Sequence, residues 1–133
     1  MNRSKRVLMI LAISYGAIFS ACTPMGVVPS DAGSPGLRME ASLDVLSVGS
    51  STMQIELYDV DTGVVGATLS VDPQMPTMGH GSDEVAIVTE IGDGFYEAAP
   101  IGFTMPGAWE IRVVANISGT DEPFEKIFRY EVD

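Results

Sequence analysis

Four side chains with soft donor atoms lie in two short stretches of the second half of the chain. Met75, Met78 and His80 fall within six residues that also contain proline and glycine, and Met105 follows in a second proline-containing stretch. Thioether sulfur suits Cu(I), and imidazole binds copper in either oxidation state. Zinc prefers cysteine, histidine or carboxylate, and calcium prefers several oxygens. The donor set therefore predicts Cu(I), with Met105 as an added ligand where the two loops share an end of the fold.

A purely structural interpretation of these residues stays open, and the low specificity of Met/His spacing favours it. Methionine adapts to irregular gaps, so Met75 and Met78 would fill space at the rim of a core. His80 would then be an ordinary loop residue that stabilises a turn.

The single cysteine, Cys22, has a different chemistry, which is set by what precedes it. Three basic residues stand among the first six, residues 7–19 are largely apolar, and two small residues come directly before the cysteine. These are the parts of a secretory signal. A transmembrane anchor is less well supported, because residues 7–19 fall short of the roughly 20 apolar residues that span a bilayer.

A cysteine at the first position after the cut resembles the lipobox of bacterial lipoproteins. The resemblance implies removal of residues 1–21 and lipid on the thiol of Cys22, so the protein would be held on a membrane outside the cytoplasm. Thr23 follows, where the residue resembling a retention signal is aspartate. We therefore expect the outer membrane, facing the periplasm, if the host is Gram-negative.

The net charge of the chain restricts the classes of partner that it could bind. All eighteen acidic residues lie beyond Cys22 but only four basic ones do, so the chain without residues 1–21 has a formal charge of −14. Such a surface repels phosphate backbones, which argues against nucleic acid. It also disfavours electrostatic docking on anionic lipid, so the lipid on Cys22 would be the membrane contact.

Catalysis lacks its usual components. The chain has one histidine, and its only thiol would be acylated, so neither a Cys–His pair nor a convincing Ser–His–Asp set is available. We expect a protein that is not an enzyme.

Composition divides the chain into three parts. After the signal, residues 22–37 hold the modified cysteine and a stretch with three prolines and three glycines, which is typical of a tether. Residues 38–133 then suit one small domain.

Apolar and polar residues alternate along most of this domain. The apolar members are Met39, Ala41, Leu43 and Val45; Met53, Ile55 and Leu57; Ala67, Leu69 and Val71; Val85, Ile87 and Ile91; Trp109, Ile111, Val113, Ala115 and Ile117; and Phe124, Phe128, Tyr130 and Val132. Period-two patterning turns one side of a strand to the core and the other to water. We predict an all-β fold, an immunoglobulin-like antiparallel sandwich of about seven strands with Trp109 in its core. A small open barrel is the alternative.

Three stretches of the second half share an order and spacing with a known family. Residues 73–81 read Pro-Gln-Met-Pro-Thr-Met-Gly-His-Gly, residues 92–96 read Gly-Asp-Gly-Phe-Tyr, and residues 103–113 read Phe-Thr-Met-Pro-Gly-Ala-Trp-Glu-Ile-Arg-Val. Together they resemble the YtkA-like domain family, which is related to FixH proteins. The resemblance covers about residues 73 to 115 and implies an exported β-sandwich, often membrane-tethered, with roles in copper handling or oxidase maturation. This chain departs from histidine-rich members in having one histidine, which weakens a metal site carried over from the family.

Two functions follow as alternatives. One is a lipoprotein of the cell envelope that binds copper or delivers it to a copper-accepting protein. The other is a non-catalytic interaction or assembly module of the envelope with no metal, which presents an edge strand or a loop to a protein partner.

Overall fold

The computed structural model describes residues 36–133, which form nine β-strands. These are β1 (Leu37–Leu43), β2 (Gly49–Asp59), β3 (Thr62–Gly63), β4 (Thr68–Met75), β5 (His80–Gly81), β6 (Ile87–Gly92), β7 (Phe95–Phe103), β8 (Gly107–Asn116) and β9 (Phe124–Val132). Only β3 and β5 are two-residue strands, so seven main strands remain, as predicted. In this part of the chain, no helix is long and apolar enough to cross a membrane.

The strands form two antiparallel sheets. Sheet A has the order β1-β2-β7-β6, and β3 pairs with the end of β2. Sheet B has the order β5-β4-β8-β9. Since two separate sheets face each other and do not close into a barrel, the predicted β-sandwich is confirmed.

The core lies between the inward faces of the two sheets. Strand β8 shows the pattern clearly, because Trp109, Ile111, Val113 and Ala115 are buried while Arg112 is exposed. Trp109 is 1% exposed, as the alternation predicts, and its ring meets that of Phe103 edge-on at 5.3 Å between centroids. The remaining buried apolar residues are Met39, Met53, Ile55, Leu57, Leu69, Met75, Tyr96, Ala98, Ile101, Phe124 and Val132.

Four apolar residues that the alternation assigned to the core are instead exposed. Val45 lies beyond the end of β1, and Val85 precedes β6. In β6, Val88 pairs with the buried Ala98, which turns Ile87 to the outer face; Ile91 sits at a register shift and is also exposed. The prediction was wrong there because the inward positions of this edge strand are the even-numbered ones, and a one-residue offset exchanges the two faces.

On the side of the sandwich where β1 and β9 lie, side-chain hydrogen bonds join the two sheets. The strands β1 and β9 are edges of different sheets, and Lys126 Nζ donates to the carbonyl oxygen of Met39 at 2.8 Å. The Tyr130 hydroxyl donates to the carbonyl oxygen of Ala41 at 3.1 Å. Both bonds satisfy carbonyls of an edge strand that would otherwise be open to another chain.

The antiparallel topology gathers the connections at two ends. The Leu37 end holds the start of β1, the segment 60–67, the 92–94 hairpin and the 117–123 loop. The Met75 end holds the 44–48 loop between β1 and β2, the segment 76–86 around β5, and the 104–106 loop between β7 and β8. Both sheets contribute to each end.

Candidate functional site

Met75 is the last residue of β4 and belongs to the core. Its side chain is 4% exposed, and its neighbours Gln74 and Thr77 are exposed. Its carbonyl oxygen accepts hydrogen bonds from the N–H groups of Met78 and Gly79, at 3.0 and 3.1 Å, which closes a tight turn. Gly79 has φ +68°, a left-handed conformation that suits glycine. The predicted Met75–His80 loop is therefore a turn of residues 76–79 between two paired strands.

His80 opens the short strand β5 directly opposite Met75. Because residues opposite each other in an antiparallel pair share a face, the imidazole lies on the side of sheet B to which Met75 turns. The His80 side chain is half-buried, and Nδ1 lies 3.4 Å from the carbonyl oxygen of Gly81, a long contact. One nitrogen-bearing ring thus stands beside one thioether at the rim of the core.

Met105 reaches the same end of the sandwich from the other loop. It is half-buried and packs against the core, and its carbonyl oxygen accepts a hydrogen bond from Trp109 Nε1 at 3.0 Å. Two residues later, a Cβ placed on Gly107 would lie 2.7 Å from Met75 Cε. The absence of a side chain at Gly107 therefore lets Met75 pack directly on the strand that follows Met105. The two methionine-bearing segments share one end of the fold.

Met78 differs from the other three candidates in its exposure. Its side chain is 57% exposed and lies on the turn beyond the core. The four predicted ligands are thus graded from a buried thioether through two half-buried groups to one in solvent. Metal binding by this set stays a prediction.

The usual ligands of zinc and calcium do not converge on one point within residues 36–133. No group of three or more histidine, cysteine, aspartate or glutamate side chains is placed to hold a metal there. The donor set at the Met75 end therefore fits a soft, low-coordinate ion such as Cu(I) better than zinc or calcium.

A groove opens beside the turn. It is lined by Pro76 and Thr77 on one side and by residues of β8 and β9, among them Trp109, Tyr130 and Glu131, on the other. Its lining also includes Arg129 and Glu110, and none of the four candidate ligands is part of it.

Sequence reasoning missed a carboxylate contact at this end. Glu84 folds across sheet A so that its Oε2 lies 3.4 Å from Ser50 Oγ, and a Cβ on Gly102 would be 2.5 Å from the same oxygen. Its backbone N–H donates to Ser82 Oγ at 3.1 Å. The sequence signal for this contact was Gly102, a glycine in an otherwise apolar stretch before Phe103, which leaves room for the Glu84 side chain.

A second feature that sequence reasoning missed is the exposed loop between β1 and β2. Val45, Leu46 and Val48 interrupt the alternation because they form a loop rather than a strand, and all three are exposed. Two adjacent apolar residues followed by Ser47 are the signal that separates this stretch from β1.

Comparison with protein families gives one result: a family described as YtkA-like matches residues 31–114. The match covers more than half of the chain and includes β1 to β7 and most of β8. The chain belongs to the YtkA-like family. The resemblance recognised between residues 73 and 115 is therefore confirmed and extends to β1. No curated protein matches the chain, and no solved structure does.

The predicted signal, the predicted lipidation site Cys22 and most of the predicted tether lie outside the described residues of this YtkA-like protein. The described part begins at Gly36, one residue before β1. The predicted division at residues 21/22 and 37/38 thus stays a prediction.

Proposed function

We propose that this YtkA-like protein is a lipid-anchored envelope protein, without catalytic activity, that binds Cu(I) at the Met75 end and passes it on. Membership of the family supports a protein of the cell envelope. The observation that carries the copper assignment is the pairing of Met75 with His80 beside the strand that follows Met105.

The differences in exposure among the four ligands set the order in which they would meet the ion. Met78 is accessible from solvent and captures the ion first. His80 and Met105 are half-buried and then hold it, with the buried Met75 at the base. Cu(I) accepts two or three soft ligands, so the full set of four is never required at once. Because the core forms without the ion, binding is reversible, as a delivery role requires.

The acidic character of the Met75 end supports a cationic cargo. The stretches 44–51, 76–86, 104–108 and 131–133 contain five carboxylates and no lysine or arginine. Negative potential raises the local concentration of a cation, although a soft donor must supply selectivity.

Competition for Cu(I) between the purified protein and a colourless chelator tests the site. His80→Ala should weaken Cu(I) retention at least tenfold and leave the fold intact, because the ring makes only one long hydrogen-bond contact. Met75→Leu preserves volume in the core and isolates the loss of sulfur. Met39→Leu is the matched control, since Met39 is also a buried methionine but lies on sheet A.

Equal Cu(I) retention by wild type and by the Met75→Leu/Met78→Leu/His80→Ala triple variant would remove the copper assignment. Membrane anchoring is tested separately. Lipid labelling should be lost in Cys22→Ser, and continued labelling would contradict acylation at this residue.

An interaction module without metal remains the second candidate, and the β6 edge favours it. Val85, Ile87 and Ile91 are largely exposed there, whereas side chains cap the carbonyls of β1 on the opposite side. Retained partner binding by a variant that has lost Cu(I) would favour this function over copper delivery.

A further inference from the structure

The 44–48 loop presents three apolar side chains to solvent at the Met75 end. Val45, Leu46 and Val48 are 45%, 43% and 49% exposed. Clustered exposed apolar residues in a folded domain mark a contact surface more often than isolated ones do. Neither the proposed copper site nor the β6 edge uses this loop.

Side-chain hydrogen bonds fix the first half of the loop. Asp44 Oδ1 accepts from the Thr52 N–H at 2.8 Å and lies 2.6 Å from Ser51 Oγ. The same hydroxyl lies 2.9 Å from the Val45 carbonyl oxygen and accepts from the Val45 N–H at 3.3 Å. Ser51 is 5% exposed and so belongs to the body of the domain. The loop is thereby held to the start of β2.

Backbone pairing with the last residue fixes the second half. The Val48 N–H donates to the Asp133 carbonyl oxygen, and the Asp133 N–H donates to the Leu46 carbonyl oxygen, both at 3.0 Å. A loop held in one shape loses little conformational entropy when it binds. The fold thus orders the backbone of an apolar loop while leaving its side chains in water.

Charge and position indicate what covers this loop. Asp83, Glu84, Glu131 and Asp133 belong to the same end. Arg129 borders this end beside the turn but is paired with Glu110, so the uncompensated charge is negative and a partner with complementary potential is basic. An anionic bilayer is disfavoured for the same reason. The chain also enters β1 at Leu37, at the opposite end of a strand that is about 23 Å long at 3.3 Å per residue. If Cys22 carries the lipid, as proposed above, the tether leaves from the end away from the 44–48 loop.

We propose that the 44–48 loop is the docking element for a partner protein that presents an apolar recess rimmed by lysine or arginine. Val45, Leu46 and Val48 fill the recess, and the carboxylates around them meet the basic rim. The contact places the partner on the same end of the sandwich as the Met75 turn, from which a soft ion would be handed over. Docking itself requires no metal, so it can be measured whether or not copper binds.

Site-specific photo-crosslinking in the native host identifies the occupant. A photoreactive amino acid replaces Leu46 in the full-length protein. The control replaces Val65, which is more exposed (61% against 43%) but lies at the Leu37 end. We expect one protein adduct from position 46 that is absent from position 65. An adduct with lipid, an adduct with a second copy of this chain, or the absence of any adduct would overturn the proposal.

Binding of the purified full-length protein to that purified adduct protein then tests the chemistry. Val45→Ser/Leu46→Ser/Val48→Ser should weaken binding at least tenfold without shifting the unfolding midpoint, and Val60→Ser/Val65→Ser should change it less than twofold. Asp83→Lys/Asp133→Lys should also weaken binding and flatten its salt dependence, with the apolar loop untouched. Equal affinity of the two serine variants, or binding insensitive to both charge reversal and salt, would overturn the proposal. Because no copper is added, failure here leaves the Cu(I) measurement unaffected.

Discussion

The two ends of the sandwich use hydrogen bonds for different purposes. At the Leu37 end, the Tyr96 hydroxyl donates to the Val64 carbonyl oxygen at 2.7 Å and accepts from the Ala67 N–H at 3.2 Å, which ties the crossover between the sheets to the core. At the Met75 end, Asp44 and Ser51 hold a loop whose apolar side chains stay in water. The bonds at the Leu37 end fasten a crossover between the two sheets, and those at the Met75 end hold an exposed apolar loop.

This comparison indicates where stability and function are separable. Substitutions of the residues that tie the crossover to the core at the Leu37 end should lower the free energy of unfolding. Substitutions of exposed residues at the Met75 end should alter binding alone. The boundary between the two behaviours lies at Trp109 and Met75, which are buried residues of the Met75 end.

The largest expected loss of folding stability comes from a substitution of Trp109. Trp109→Ala removes a side chain that is 1% exposed, its contact with Phe103 and its bond to the Met105 carbonyl. We expect the free energy of unfolding to fall by about 3 to 5 kcal/mol, measured by denaturant titration. Phe95→Ala is the control, because Phe95 lies on the outer face of sheet A and should cost clearly less. An unchanged midpoint for Trp109→Ala would place the indole outside the core.

Most of the fold was predictable because apolar and polar residues alternate wherever one face of a strand is exposed to solvent. Strand β8 shows this, with every second residue buried from Trp109 to Ala115. The central strand β7 was not singled out, because its small residues and Pro100 blur the alternation. Its pairing with β2 also contains a register shift between Ser51 and Met53. In β6 the period was visible but its phase was not, since only the partner strand defines which face is inside.

The candidate site was predictable in its members but not in their environments. Sequence placed Met75, Met78 and His80 in one loop, yet Met75 completes a strand and turns into the core. Spacing along the chain does not show which thioether is buried, because that depends on Gly107 from a distant strand leaving room for the Met75 methyl group. The fixed conformation of the 44–48 loop was likewise not predictable from the sequence, since it depends on hydrogen bonds to Ser51 and to the remote Asp133.

Two glycine substitutions, one at each end, compare a crowded position with an open one. A Cβ on Gly63 would overlap the carbonyl oxygen of Asp93 at the Leu37 end, whereas one on Gly79 at the Met75 end would meet nothing within 4 Å. We expect Gly63→Ala to cost about 2 to 3 kcal/mol through backbone displacement. Gly79→Ala should cost about 1 kcal/mol, from its left-handed φ alone. Equal losses in thermal denaturation would show that these two positions are packed alike.

Removing the Tyr96 hydroxyl should have a smaller effect. Tyr96→Phe keeps the buried ring but leaves the Val64 carbonyl and the Ala67 N–H without their partner, so we expect a loss of about 1 to 2 kcal/mol. Tyr58→Phe is the matched control, because the Tyr58 ring packs edge-on against Phe95 on the outer face. Amide exchange at Ala67 should accelerate in Tyr96→Phe only. Unchanged exchange there would mean that the hydroxyl does not fasten the crossover.

The smallest expected effect is the acid response of the 44–48 loop, which distinguishes the two ends by pH. Hydrogen bonds from the Ser51 hydroxyl first, and then from the Thr52 N–H, hold the pKa of Asp44 below its ordinary value of 3.8. A carboxyl whose pKa is lowered by folding stabilises the native state above its unfolded pKa. This contribution is lost as the pH falls through the lower folded-state pKa. At the Leu37 end, burial raises the pKa of Tyr96 above 10.0, so its hydroxyl does not ionise in the same range.

Acidification below about pH 4 should therefore loosen the 44–48 loop while leaving the Tyr96 bonds in place. The measurement is an NMR titration that follows the Asp44 carboxyl carbon together with the amides of Thr52 and Ala67. The Thr52 amide should shift with the Asp44 carboxyl, and the Ala67 amide should not. In Ser51→Ala, the largest cause of the lowered pKa is gone, so the Asp44 titration should move up toward its ordinary value. An Asp44 pKa that is identical in wild type and Ser51→Ala would show that the hydroxyl does not hold this loop, and the contrast between the two ends would then rest on the Tyr96 bonds alone.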